Sequence, residues 1–546
     1  MTMVMFPDYF VGLTTVVGIM ASFALPLVSL GIKDKRVWDL YTLVVTFFLM
    51  TLTCAVFIDV FINNRVIVYK FGGFPPPLGI VYTVDKFNAI IALTTAVICF
   101  FIALYSVEYM EKFHGIEWYY TLLLGMETGM LGVFYTGDVF NLFVMLEVTS
   151  IAAYGLVAFI RSTKEAVEAA LKYSIIGATA TTLYFLSLIF IYASFGTLNM
   201  GHIAFIARQP RAYVLSPLSL FATPYAPLPQ LLLGAIIFIA LATWVFSFKA
   251  ALFPSHFWLP DAHPAAPTPI SAALSGLVVK VGVYTIMRFL TTLFGVPADI
   301  GFPITFNAVK VLLAILMGLG LASVVIGGLL MTVQTDIKRL IAYSTILHIG
   351  IIIVAFSTFN IVGVTASIYH IINHSFAKAL LFMAAGAFIH KLGTRSIDEL
   401  AGAGRYMKIS LSAMLIAILT LVGLPPFATF TTILLLYSAL LELGLAPLIV
   451  IIIFGEALAF IGYMRIIYGL WFKPPVKNLS GLKEVGAPMK VTFIVMSVIV
   501  VLIGVLAPIF VSKVIYPVAN SLMDATAYID AVEKAAREVI SALMGG

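Results

Sequence analysis

Four charged side chains sit where their neighbours are almost wholly apolar. Glu147 lies in LFVMLEVTSIAAYG, Lys249 in WVFSFKAALFP, Lys280 in SGLVVKVGVY and Lys378 in NHSFAKALLF. A charge at the centre of a bilayer costs about 2.5–3.5 kcal/mol on insertion scales. Four in one chain are therefore expected to face a hydrated protein interior, pair with one another, or titrate. Lysine suits titration, because an ammonium group gives up its proton more readily once desolvated. Three histidines extend the set. His348 follows IAYSTIL, and His370 and His374 fall in SIYHIINHSF. The spacing i, i+4, i+8 puts His370, His374 and Lys378 on one helix face. Imidazole titrates near neutral pH and passes protons between waters. The chemistry on offer is movement of protons or cations through a protein interior. The competing readings are snorkelling of Lys249 to the headgroups, a structural ion pair between Glu147 and a lysine, and ordinary hydrogen bonding of a lone buried His348. Glu127 and Glu456 also lie inside apolar runs, as path groups or local partners.

These residues have to be held by membrane helices. The 546 residues are 62% hydrophobic and 10% charged, against about 25% charged in a soluble domain. A span needs about 20 apolar residues. Candidates fall near 9–31, 38–62, 87–107, 116–134, 139–160, 166–195, 230–253, 268–294, 305–331, 337–358, 360–389, 409–441, 445–471 and 491–515. With this much chain in lipid the fold class is all-α, a polytopic membrane protein of about fourteen helices, because a barrel would show short alternating segments. Two spans are interrupted. FPSHFWLPDAHPAAPTPIS carries Pro254, Pro260, Pro264, Pro267 and Pro269, and GLPPF carries Pro425 and Pro426. Proline removes a helix hydrogen bond and frees a carbonyl, and broken helices in corresponding halves point to an inverted-repeat transporter with its site near the membrane midplane.

Lysine and arginine give the orientation. Loops after odd-numbered helices hold 16 of them, Lys338 among these, and the opposite side holds 10, including Arg211 and Arg288. The positive-inside rule then places both termini outside the cytoplasm. The connection 196–229 is expected to be a surface loop. The tail from Asp524 to Met544 reads as an amphipathic helix that is interfacial or docks a partner. Cys54 and Cys99 are too few for an iron–sulfur cluster or a Cys-rich zinc site, and no P-loop or GxGxxG follows a strand. No cofactor, metal site or nucleic-acid partner is expected, and any redox chemistry belongs to another subunit.

KAALFPSHFWLPDAHPAAPTPISAALSGLVVKVGVY, GDVFNLFVMLEVTS, DIKRLIAYSTILHIG and HSFAKALLFMAAG resemble the antiporter-like subunits shared by respiratory complex I, Mrp-type cation/proton antiporters and archaeal membrane-bound hydrogenase and sulfur-reductase complexes. The resemblance covers roughly 85–470 and is strongest to the Mrp D-type subunit and the related archaeal hydrogenase subunits, given Lys280 in KVGVYTIMR. It implies fourteen helices, with helices 1–3 in 1–115, two inverted five-helix repeats in 116–294 and 305–471, broken helices 7 and 12, and a last span with its tail in 472–546. It implies a hydrophilic axis in the membrane plane. On that axis Glu147 matches the glutamate of helix 5, Lys249 the lysine at the helix 7 break, Lys280 that of helix 8 and Lys378 that of helix 11, while His348 falls where several members carry histidine.

One departure stands out. The family usually has a lysine or glutamate shortly after the helix 12 break, and here Thr432 in PFATFTTILLLYS takes what looks like that position. Glu442 and Glu456 are the candidate substitutes, and Thr429, Thr431 and Thr432 together would suit Na+. The expected function is movement of H+ and/or Na+ by a plasma-membrane subunit that works beside other membrane subunits, further antiporter-like ones included. Glu147 is expected to pair with Lys249. The rival reading is an adaptor subunit that has lost its own path.

Overall fold

The computed structural model describes residues 6–161, 164–208, 228–295 and 303–544. The chain opens with α1 (Tyr9–Gly31) and α2 (Lys35–Ile62), then an antiparallel hairpin of β1 (Ile67–Lys70) and β2 (Val81–Val84). Next come α3 (Lys86–Tyr109), α4 (Ile116–Tyr135), α5 (Val139–Val157), α6 (Lys164–Phe195) and the short α7 (Met200–Arg208). They are followed by α8 (Leu228–Lys249), α9 (Trp258–Ala265) and α10 (Thr268–Leu293). After α11 (Pro303–Val333), α12 (Ile337–Ser357) and α13 (Ile361–Leu392) stand α14 (Lys408–Val422) and α15 (Ala428–Glu442). The described chain ends with α16 (Ala446–Phe472), α17 (Ala487–Val505), α18 (Tyr516–Met523) and α19 (Thr526–Met544).

Among the described residues, twelve helices are long and apolar enough to cross a bilayer. The other two expected spans account for themselves. α4 has 20 residues, with Glu127 midway. The stretch 409–441 is divided into α14 and α15, each too short to span alone. Gly423, at φ 77°, ends α14, and Pro425 and Pro426 follow before α15 begins. The earlier interruption runs from Lys249 to Trp258. Groups freed there find partners: the Trp258 indole donates to the Phe248 carbonyl at 3.1 Å, and the Phe253 amide donates to Ser323 Oγ of α11 at 2.9 Å. α10 and α13 lie at the centre, buried over almost their whole lengths. Two π turns, at Leu274–Val278 and Phe289–Leu293, interrupt α10.

Aspartates start several helices, because a carboxylate satisfies amides that have no helical acceptor. Asp34, Asp85, Asp138 and Asp336 each accept from the first turn that follows. Asp138, just ahead of α5, is buried enough to lift its carboxyl to about 6, although the amides of Asn141 and Phe140 pull the other way. Folding therefore favours the protonated acid. Its contribution to stability is complete below the unfolded pKa of about 4 and is lost as pH rises through about 6. Asp138→Asn keeps a capping oxygen. Its thermal midpoint in detergent is expected to exceed the parent's at pH 8 and to match it near pH 4. A difference independent of pH would contradict this.

Three expectations change. The connection 196–229 is not all surface loop: Met200, His202 and Ile203 of α7 are buried, while 209–227, with Arg211, lie outside the described residues. Nor, as far as Ala536, is the apolar face of α19 free for a partner. Tyr528, Val532 and Ala536 are buried against the chain itself, and Gly201 of α7 lies so near Val532 that a Cβ would come within 2.7 Å. Lys338 and Arg288, both counted as loop charges, are interior residues at 2% and 1% exposure.

Candidate functional site

Lys249 ends α8 at the helix break and is buried. Its ammonium donates to Ser150 Oγ at 2.8 Å and Tyr154 OH at 3.2 Å, and lies 5.6 Å from the centre of the Tyr154 ring. Both partners are on α5, one and two turns beyond Glu147. The expected ion pair between Glu147 and Lys249 is not formed; Glu147 acts on the ammonium only at longer range, and its Oε1 is buried without a hydrogen-bond partner. Hydroxyls and an aromatic face take the place of the carboxylate because Glu147, Ser150 and Tyr154 share one face of α5 and the Lys249 ammonium lies level with the last two. α10 runs unusually close here. A Cβ on Gly282 would stand 2.5 Å from the Phe246 carbonyl and the Ala250 amide, so only glycine lets the helix carrying Lys280 touch the break carrying Lys249.

Lys280 begins a second, longer set. Its ammonium donates to the Ser275 carbonyl in the first π turn and meets His374 Nδ1, both at 2.5 Å. π turns recur at functional positions because they present backbone groups off the regular ladder. The His374 ring centre is 5.2 Å from that of His348 on α12, and His348 Nδ1 is 3.2 Å from His370 Nε2. On the other side of His348, Nε2 faces Tyr463 OH of α16 at 3.4 Å, and the same hydroxyl accepts from Lys378 at 3.2 Å. Lys378 also donates to Ser344 Oγ and to the Ile341 carbonyl. Two hydrogen-bonded clusters thus stand side by side, Lys280 with His374, and His370 with His348, Tyr463 and Lys378, with the 5.2 Å between the His374 and His348 ring centres separating them. The i, i+4, i+8 face of α13 supplies three of these groups, each turned to a different neighbour.

The three imidazoles do not make a metal centre. Among the described residues no three His, Cys, Asp or Glu side chains converge where an ion could sit, and the neighbouring ammonium groups would repel a cation. The donor set suits proton exchange. His374 Nε2 and His370 Nδ1 carry no partner, so each ring has one nitrogen free to gain or lose a proton.

Other candidates are resolved by position. Thr432 is buried and its hydroxyl bonds the Ala428 carbonyl of its own helix at 3.4 Å. Thr429 Oγ1 accepts from Asn373 at 2.6 Å. Thr431 lies about 200° around the helix from Thr429 and about 100° from Thr432, so the three hydroxyls do not converge as a Na+ site would require. Glu442 is exposed at the end of α15, bonded to Asn360 at 3.1 Å, and is not an interior group. Glu456 is held by Tyr437 OH at 3.5 Å, with Oε1 buried and unpartnered. Glu127 is fully buried with neither oxygen hydrogen-bonded; nothing around it in the structure explains that.

Several residues were not legible in the sequence. Tyr463 and Ser344 look like ordinary members of apolar helices. Lys338 donates to the carbonyls of Ala266 at 2.7 Å and His263 at 3.3 Å. It forms part of the wall of a cavity of about 900 Å³ shared with Lys172, Asp261, Asp336, Arg339 and Arg395. The buried His263 ring stacks on Phe382 at 4.4 Å with both nitrogens unpartnered. Its place in DAHPAAP was the one available signal. At the far end of α10, Arg288 makes a two-pronged bond to Asp85 at 2.6 and 2.8 Å. The rings of Phe87, Tyr284 and Tyr528 surround it at 5.2–5.6 Å.

The family described as NADH:quinone oxidoreductase/Mrp antiporter, transmembrane, matches residues 136–459. The D-type subunit of the Na+/H+ antiporter of Alkalihalophilus pseudofirmus is 30% identical over 484 residues, 87% of this chain and 90% of that one. The N-type subunit of the NADH-quinone oxidoreductase of Desulforudis audaxviator is 29% identical over 462 residues, 82% and 86% of the two chains. A chain of the membrane-bound sulfane sulfur reductase, an archaeal respiratory membrane complex, superimposes with a TM-score of 0.83 at 28% identity, covering 96% of this chain and 99% of its own.

Proposed function

Because the chain belongs to the NADH:quinone oxidoreductase/Mrp antiporter transmembrane family, we propose that it moves H+ and/or Na+ across the plasma membrane as one subunit of a larger membrane complex. It is an antiporter-like membrane subunit of the complex I, Mrp and sulfane sulfur reductase type. Its partners are other membrane subunits, further antiporter-like ones among them. The observation that carries the reading is the buried row from Lys280 through His374, His348 and Tyr463 to Lys378, hydrogen-bonded except between the His374 and His348 rings, whose centres are 5.2 Å apart. A proton arriving at one lysine changes the charge felt by the next, so occupancy passes along the axis without any cofactor in this chain. Lys249, beside the break and next to Gly282, couples Glu147 to that run. The basic-residue asymmetry supports a cytoplasmic cavity at Lys338 and both termini outside; with Lys338 and Arg288 set aside each side loses one charge, and the difference stands. The two helix breaks support a division into inverted repeats over 116–294 and 305–471.

The test is ion flux in inverted vesicles containing the intact parent complex. Lys249→Ala and Glu147→Ala are each expected to cut proton or sodium movement by about tenfold, less than the ~10²–10⁴ of a group that itself transfers the proton because both act on the run from beside it, while the complex still assembles. Flux at the parent's rate in both variants would make the buried charges structural, and the chain an adaptor.

A further inference from the structure

The axis as described stops at Lys378 with no charged group on α15 to receive from it: Glu442, the one charged residue of that helix, lies exposed at its end. We propose that Glu456, positioned by Tyr437, is the group at which a proton leaves the second half of this axis. This rests on the translocating function above. α16 carries both ends of the step. Tyr463, which bonds Lys378, and Glu456 are seven residues apart, two turns along one face and about 10 Å along the helix. The rotation of α16 is set by a matching pair one position earlier. A Cβ on Gly455 would stand 2.3 Å from Val324, and one on Gly462 2.9 Å from Met331. With the glycines pressed on α11, Glu456 and Tyr463 turn together to the neighbouring side.

The second approach comes from α13. Asn373, beside His374, donates to Thr429 of α15, and two turns further along α15 stands Tyr437, the donor to Glu456. Rows on two helices therefore converge on one carboxylate, whose Oε1 is buried and has no hydrogen-bond partner. A carboxylate left unpaired at membrane depth is costly, and one oxygen held while the other stays open is the arrangement of a group that alternates between acid and carboxylate. In the step, the Lys378 ammonium gives its proton to Tyr463, whose own proton passes through intervening water to Glu456. The amine and the carboxylic acid are then both neutral. The acid releases its proton outward and returns to carboxylate, and Lys378 is reprotonated from the histidines.

The experiment is proton flux in vesicles of the intact complex carrying Glu456→Gln, Glu456→Asp, Tyr437→Phe or Lys378→Ala. Glu456→Gln is expected to lower flux roughly a hundredfold or more, Glu456→Asp to retain most of it, and Tyr437→Phe to shift the pH profile of flux with assembly unchanged. Loss in Lys378→Ala with parental flux in Glu456→Gln overturns the proposal and leaves the axis standing. Parental flux in both removes the axis and the proposal together. If Glu456→Gln does not assemble, Tyr437→Phe decides: an unmoved pH profile makes Glu456 a structural residue.

Discussion

Exchange of Lys280 for methionine is expected to lower ion flux by roughly a hundredfold or more, since a positioned proton-transfer group contributes about 10²–10⁴. Lys280 is buried at 2% exposure, and its ammonium has two partners, the Ser275 carbonyl and His374 Nδ1. Methionine fills a similar volume without a proton, so α10 keeps its place and the run to His348 loses its first member. Lys280→Arg is the discriminating companion. A guanidinium retains the positive charge and never releases its proton at working pH. If Lys280 acts by titrating, arginine fails as methionine does. Flux restored by arginine would mean that a fixed charge suffices, and parental flux in Lys280→Met would remove the residue from the path altogether.

The largest stability effect is expected at Asp85. Its two bonds to Arg288 lie inside the protein, with both side chains at 1% exposure. Removing one partner of a buried pair leaves an uncompensated charge and costs about 3–5 kcal/mol. Asp85 also caps α3 through Phe87 and Asn88, worth about 1 kcal/mol, so Asp85→Asn is the informative change: asparagine keeps the cap and loses the charge. Its thermal midpoint in detergent should fall by far more than loss of a cap explains. Arg288→Met on that background should recover most of the loss, because an apolar residue needs no counter-charge. A single variant as stable as the parent, or a double variant no better than the single, would show that the pair is not what holds the C-terminal end of α10. Tyr528 stacks over the Arg288 guanidinium, so the same variants should loosen α19, read as faster proteolysis after Lys534 and Arg537.

Much of the candidate site could be read along the chain. Glu147, Lys249, Lys280 and Lys378 declare themselves because a charge in an apolar run has few places to go, and the histidine spacing on α13 follows from helix geometry alone. Pro254 and the pair at 425–426 mark where helices stop, and Pro267 and Pro269 where the next one starts, since the lost amide and the ring are local facts of each residue. The spans could be read because lipid offers backbone groups nothing to bond with.

Partner choice could not. Whether Lys249 meets Glu147 or Ser150 and Tyr154, which share one face of α5, depends on how far along that helix the end of α8 docks. Whether Lys338 and Arg288 face water or the interior depends on where α9 carbonyls and Asp85 lie in space. Tyr463 became a link between His348 and Lys378 only when α12, α13 and α16 were brought side by side. Residue types and their order were enough for the class of protein, its membrane helices and the charges inside them. Which of those charges speak to one another was settled by helix packing. Hydropathy along a chain reports how deep a residue sits. It says nothing about direction, because direction is set by contacts between helices distant in sequence, such as Gly282 against the Phe246 carbonyl and Gly455 against Val324.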